Sequence, residues 1–243
     1  MDFEKPKKPE EQAVENAESL YGKFNSVAAE AEQEGGRRVE QISDDGAGDL
    51  YVENKDGLRL YDIHFKPRNQ DNPDAGTEYY YEQTYSYDES DRVSEIAWRD
   101  IASESGGNAG EKHFGYDDQG HMISEEQEIT GGPEEGKKIG KNFDYSEQGE
   151  MAGEIGEIKA GPDRGHKWQK RFSRSVLEDG TQVSVEDGQI LEQGENKKKE
   201  QKGHAWRAAW ETKDKSTVHG GKITGGPELG RTWGEWNKLK TAQ

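Results

Sequence analysis

Apolar residues recur along this chain with two different periods. Between Pro9 and Glu34, Ala13, Ala17, Leu20, Phe24, Val27 and Ala31 fall three or four residues apart, with glutamates on the flanks. That spacing puts them on one face of an amphipathic helix over 10–34, and Gly35-Gly36 ends it. From Leu50 onward the period drops to two. The stretch "LYVENKDGLRLYDIHF" (Leu50 to Phe65) alternates on both sides of Asp56-Gly57, the pattern of a hairpin closed by a two-residue turn. Residues 1–9 read as a disordered leader, 35–49 as a polar linker, and 66–76 as a loop rich in Pro, Asn and Asp.

Beyond Gly76 the alternation is itself repeated. "HFGYDDQGHMISEEQEITGGPEEG" (from His113) and "NFDYSEQGEMAGEIGEIKAGPDRG" (from Asn142) align at an offset of 29. Phe114/Phe143, Tyr116/Tyr145, Gly120/Gly149, Met122/Met151, Ile129/Ile158 and Pro133/Pro162 coincide. Tyr85, Phe114, Phe143 and Phe172 keep the same spacing of 29. Each unit reads as a strand after a glycine, a polar turn ("DDQG", "SEQG", "LEDG"), and a return strand. Several return strands close on a Gly-Pro turn ("GGPEEG", "AGPDRG", "GGPELG"). Stacked hairpins of this kind form an antiparallel meander whose spatial order follows the chain. The predicted fold is therefore mainly β: one N-terminal helix, then an extended meander of repeated hairpins over 50–240.

Composition narrows this picture. Only 28% of the 243 residues are hydrophobic and 35% are charged. That is too little apolar mass for a thick core along the whole chain, so the sheet can be largely single-layered, with the helix covering part of one side. The net charge of -18 opposes binding to phosphate backbones and to anionic membrane surfaces. "NKKKEQK" (Asn196 to Lys202) is the basic exception and reads as a solvated loop. Without cysteine there is no disulfide framework and no thiolate zinc site. The first residues carry no apolar signal core and are too acidic for a transit peptide. The expected location is the cytoplasm, or the plastid stroma if a transit segment has been removed.

Little in the chain suggests catalysis. There is no nucleophile motif, phosphate-binding glycine loop or zinc signature. His64, His113, His121, His166, His204 and His219 are scattered, without ligand spacing on one strand. With 51 acidic residues, neighbouring carboxylates such as Glu154 and Glu157 carry no information by themselves. The expectation is a non-enzymatic protein that calls for no cofactor and no metal.

The aromatic residues are more informative. Strand alternation puts Trp168, Lys170 and Phe172 on one face, likewise Trp206, Ala208 and Trp210, and likewise Tyr79 and Tyr81. Trp233 and Trp236 follow near the C-terminus. Two readings stay open for these eight aromatic positions. They can be buried beneath the helix or a neighbouring hairpin. Alternatively, they can present flat apolar faces, rimmed by polar groups, to a ligand of matching shape, such as the C–H faces of sugar rings. A repetitive surface also suits a repetitive polymer, because weak sites on one scaffold add avidity.

The segment "KGHAWRAAWETKDKSTVHGGKITGGPELGRTWGEWNK" (Lys202 to Lys238) resembles the tryptophan-rich proteins of the early-starvation family, which are associated with starch granules. "WRAAWE" and "RTWGEW" carry the likeness, with "HKWQKRF" a weaker copy. The resemblance implies a long antiparallel sheet that aligns with α-glucan without catalysis, with Trp168, Trp206, Trp210, Trp233 and Trp236 as contacts. "YSYDESDRV" and "FGYDDQGHM" have a fainter similarity to bacterial YD-repeat modules, which implies a shell or scaffold. The sequence thus points first to non-catalytic binding of a starch-like polysaccharide. The alternative is a structural or scaffolding module that docks on another protein.

Overall fold

The structure is a computed structural model that describes residues 9–42, 48–66, 79–100, 107–194, 203–213 and 216–239, with the side chains of 9–18, 42, 65, 66, 79 and 80 left out of the description. A helix, α1 (Pro9–Gln33), precedes fourteen strands. These are β1 (Arg37–Ile42), β2 (Gly48–Glu53), β3 (Arg59–Lys66), β4 (Tyr79–Tyr87), β5 (Val93–Asp100), β6 (Ala109–Tyr116) and β7 (Met122–Gly131). They continue as β8 (Lys138–Tyr145), β9 (Met151–Ala160), β10 (Lys167–Val176), β11 (Gln182–Glu192), β12 (Ala205–Lys213), β13 (Ser216–Gly225) and β14 (Thr232–Gly234). One turn of 3-10 helix follows at Trp236–Lys238. The strands form one open antiparallel sheet in sequence order. That is the meander the repeat predicts.

The hairpin turns share a frame that explains their spacing. In the first, the Asn54 amide donates to Leu58 O at 2.8 Å and the Gly57 amide to Asn54 O at 3.1 Å. Asn54 Oδ1 accepts from the amides of Asp56 and Leu58, both at 2.9 Å. The loop therefore holds Lys55, Asp56 and Gly57, three residues and not the expected two, with the Asn54 side chain capping one amide inside it and one at its close. The same frame recurs from Asp88 to Arg92, Asp117 to His121, Ser146 to Glu150 and Leu177 to Thr181. Its fourth position needs a positive φ. Gly57, Gly120, Gly149 and Gly180 supply it, and in the frame from Asp88 to Arg92 Asp91 takes the position at φ 59.

Strand β1 corrects the expectation of a linker over 35–49. "RRVEQI" has charged or amide side chains at four of its six positions and pairs through backbone, from Arg37↔Glu53 to Ile42↔Gly48. Such an edge strand shows no apolar alternation to read. The leader expected over 1–9, apart from Pro9, which begins α1, lies outside the described residues, as do most of the 66–76 loop and the basic stretch at 196–202.

Contacts divide the chain into two units, Met1–His113 with Glu128–Gly136, and Phe114–Gln127 with Lys137–Gln243. In the first, α1 lies on β1, β2 and β3. Leu20, Phe24, Ala28 and Ala31 of the helix meet Leu50, Val52, Tyr61 and Ile63 in one buried cluster, with Val27 and Leu60 packed against it. Ala28 thus joins the helical stripe read from the sequence. Burying a Leu or Phe side chain contributes roughly 1.5–3 kcal/mol, so this cluster anchors the helix. At its margin Glu82, 6% exposed, accepts from the Tyr61 hydroxyl at 2.6 Å and from Lys23 Nζ at 3.1 Å, and pairs with Arg99 at 2.7 Å. Burial alone would raise the Glu82 carboxyl, but these donors outweigh it and hold the group below its ordinary range.

The second unit has a smaller core. The 3-10 turn after β14 brings Trp236 and Leu239 onto Ala209, with Val185 and Val218 packed against them. Elsewhere in this unit the sheet is covered by its own side chains.

Candidate ligand-binding face

Direct cross-strand partners point to the same side of a sheet, so the register shows which residues share a face. In the second unit Trp168 lies opposite Gly156 on β9. Trp206 lies opposite Gly188 on β11. Trp233 lies opposite Gly221 on β13. Each pairing places the large ring of an indole beside a residue that has no side chain.

The contact is close. A Cβ added at Gly156 would come within 2.0 Å of Trp168, one at Gly188 within 2.1 Å of Trp206, and one at Gly221 within 2.0 Å of Trp233. Each indole therefore lies across the glycine backbone and covers it. Any other residue at these positions would force the ring away from the strand. This is how an isolated layer shields its backbone without a second layer.

A carboxylate completes two of the three pairs. Trp168 Nε1 donates to Glu154 Oε1 at 2.7 Å, and Trp206 Nε1 donates to Glu186 Oε1 at 2.8 Å. In both cases the glutamate stands two residues before the glycine on the same strand, hence on the same face. Lys170 Nζ lies 3.5 Å from Glu186 Oε2. The face thus alternates apolar plates with charged groups that partly balance one another. Opposite Trp233 the corresponding position is His219, and its ring instead stacks on Trp210 with centroids 4.9 Å apart and planes 19° apart.

The register also sets the path of the row. Lys170, Gly188 and Trp206 are in line across three strands, two residues along β10 from Trp168. Phe172, Glu186, Ala208, Gly221 and Trp233 form the next line, two residues further. Each step crosses two strands and advances two residues, about 12 Å from one indole to the next at ordinary strand spacing and rise. Trp168 and Trp206 are half-buried, and Trp233 is 36% exposed. Their outer faces form a diagonal staircase.

The structure thus brings Trp168, Phe172, Trp206, Trp210 and Trp233 onto one face. Trp236 lies on the opposite side, 8% exposed, in the cluster around Ala209. It lies past the end of β14, in the 3-10 turn, where strand alternation no longer sets the face. Tyr81 belongs to the first unit. There it lies near Trp98 with ring centroids 6.3 Å apart, and Trp98 in turn lies opposite Gly110. The side chain of Tyr79 lies outside the described residues.

Sequence reading passed over Glu154, Glu186, Gly156, Gly188 and Gly221. The signal for them was a glycine inside an alternating strand, preceded at two residues by Glu in "EIG" and "EDG". Among the described residues no group of three or more His, Asp or Glu is placed to hold a metal ion. No helix there is long and apolar enough to cross a membrane. No protein-family model and no curated protein matches the chain.

Proposed function

We propose that this protein is a non-catalytic binder of polysaccharide, of the starch-like α-glucan class. The supporting observation is the staircase of Trp168, Trp206 and Trp233, laid flat over Gly156, Gly188 and Gly221 on one face. A flat indole offers a sugar ring an apolar plate, and neighbouring carboxylates accept from its hydroxyls. Three plates at regular steps favour a polymer, since each further contact acts at high effective concentration. The likeness of 202–238 to starch-associated tryptophan-rich proteins supports the same ligand class. On this reading the expected location is the cytoplasm or the plastid stroma.

The test is co-sedimentation of the purified chain with insoluble starch, with cellulose for comparison. Selective retention on starch, lost in the folded Trp168→Ala/Trp206→Ala double variant, is the expected result. No retention on either polymer overturns the proposal and leaves the indoles as cover for the sheet backbone, in a structural or scaffolding module.

A further inference from the structure

We infer that Glu154 and Glu186 are positioning residues that fix the planes of Trp168 and Trp206, and that Trp233 is the adjustable end of the row. The inference rests on the ligand-binding reading for its meaning, but its physical content stands apart from it.

An indole opposite a glycine has room to lie flat, but room alone does not hold it there. The side chain has two torsions, and a half-buried ring on an open face can swing outward. The indole N–H is its single donor. In Trp168 and Trp206 that donor is spent on Glu154 at 2.7 Å and Glu186 at 2.8 Å, so the ring is tied at its far edge as well as at its Cα. A hydrogen bond to a carboxylate is stronger than one between neutral groups, so it opposes the swing of the ring. The same bond removes the N–H from any ligand. What remains for a partner is the outer face of the indole, with carboxylate oxygens beside it.

Trp233 is built differently. Its glycine is in place, yet the carboxylate position holds His219, which is occupied against Trp210. It sits on β14, a strand of three residues, and is the most exposed tryptophan of the row. The row therefore has two fixed plates followed by one that can reorient when a ligand arrives.

The experiment is a two-dimensional 1H–15N spectrum of the tryptophan Nε1 groups in the full-length chain. Glu154→Ala is expected to move and broaden the Trp168 signal and speed its exchange with solvent, leaving Trp206 unchanged. Glu186→Ala should do the converse. Glu154→Gln keeps an acceptor oxygen and should restore the Trp168 signal close to its native position. The Trp233 signal should exchange fastest of the three in the unaltered protein. If an alanine variant does not fold, Glu154→Met keeps the length of the side chain without an acceptor and carries the same prediction. An unchanged Trp168 signal in a folded variant without the acceptor, or a Trp233 signal as protected as the others, overturns the inference. With soluble malto-oligosaccharide, Glu154→Ala should weaken binding about tenfold and Glu154→Gln far less. Should the unaltered protein bind no glucan, the ligand reading fails while the spectra still decide the positioning role.

Discussion

The two units cover their sheets in different ways. In the first, a helix lays Leu20, Phe24, Ala28 and Ala31 on Leu50, Val52, Tyr61 and Ile63, and the cover comes from elsewhere in the chain. In the second, strands of the same hairpin type cover themselves, with Trp168, Trp206 and Trp233 folded over glycines of the neighbouring strand, a pairing that the first unit also has at Trp98 and Gly110. A chain with 28% hydrophobic residues cannot supply a second layer throughout. A large flat side chain beside an absent one is the cheaper solution. It also leaves one side of the ring open, which a helix-covered core does not.

The sharpest break in this comparison is at Phe24, which is 2% exposed at the helix–sheet contact. Phe24→Ala should cost about 3–5 kcal/mol through lost transfer energy and a residual cavity. Urea denaturation should show loss of helix signal first, with the tryptophan emission of the second unit unaffected. A variant in which both signals shift together would mean that the two kinds of cover are not independent.

Next in size is the glycine side. Gly188→Ala places a methyl group where the Trp206 ring lies, 2.1 Å from its nearest atom. Expelling the ring should cost about 1–3 kcal/mol and shift tryptophan emission to the red, while α1 keeps its ellipticity. An unshifted emission spectrum would show that the indole does not depend on the glycine.

A smaller effect comes from acid, and it acts on the first unit. The Glu82 carboxyl is held below its ordinary value of 4.5 in the folded chain. Its contribution is therefore complete above that value and is lost as pH falls through the lower folded value. Asp62 runs the other way. Burial raises it above its ordinary 3.8, against the Tyr85 and Arg59 hydrogen bonds that lower it. Its charge thus costs stability at neutral pH, and acid relieves part of that cost. Stability measured from pH 6 down should fall in the unaltered protein below 4.5, and Glu82→Gln should flatten that fall. An identical acid profile in both would remove Glu82 from the account.

The smallest effect is expected at an exposed pair of the second unit. Arg207 Nε and Nη2 donate to Asp187 at 2.7 and 2.8 Å, with both side chains more than two-fifths exposed. Arg207→Ala should change stability by no more than about 1 kcal/mol, because water and salt screen the pair. A larger loss in a urea titration would show that charge ladders carry weight in a single-layered sheet.

Much of the fold was legible in the chain. The stripe through Leu20, Phe24 and Ala31 marks the helix, and the spacing of 29 from Phe114 to Phe143 marks the hairpins and their order. Strand β1 was not legible, because an edge strand whose side chains are mostly charged or amide carries no apolar alternation. The Trp–Gly pairs were not legible either. They depend on how one hairpin registers against the next, β10 on β9 and β12 on β11, which the length of the connection between hairpins sets.

By itself, then, the sequence determined the local geometry: helix, strands, turns, and the face on which each side chain of a strand stands. Those follow from periods of 3.6 and 2 and from short turn motifs, all of which act between near neighbours. Only the tertiary structure decided that Trp168 and Trp206 meet Gly156 and Gly188, that Glu154 and Glu186 accept their indole N–H groups, and that Trp236 turns to the opposite side. The reason is physical. A strand specifies which way its side chains point, but which residue it faces is set by bulges and loop lengths between separate hairpins, and those add up along the chain.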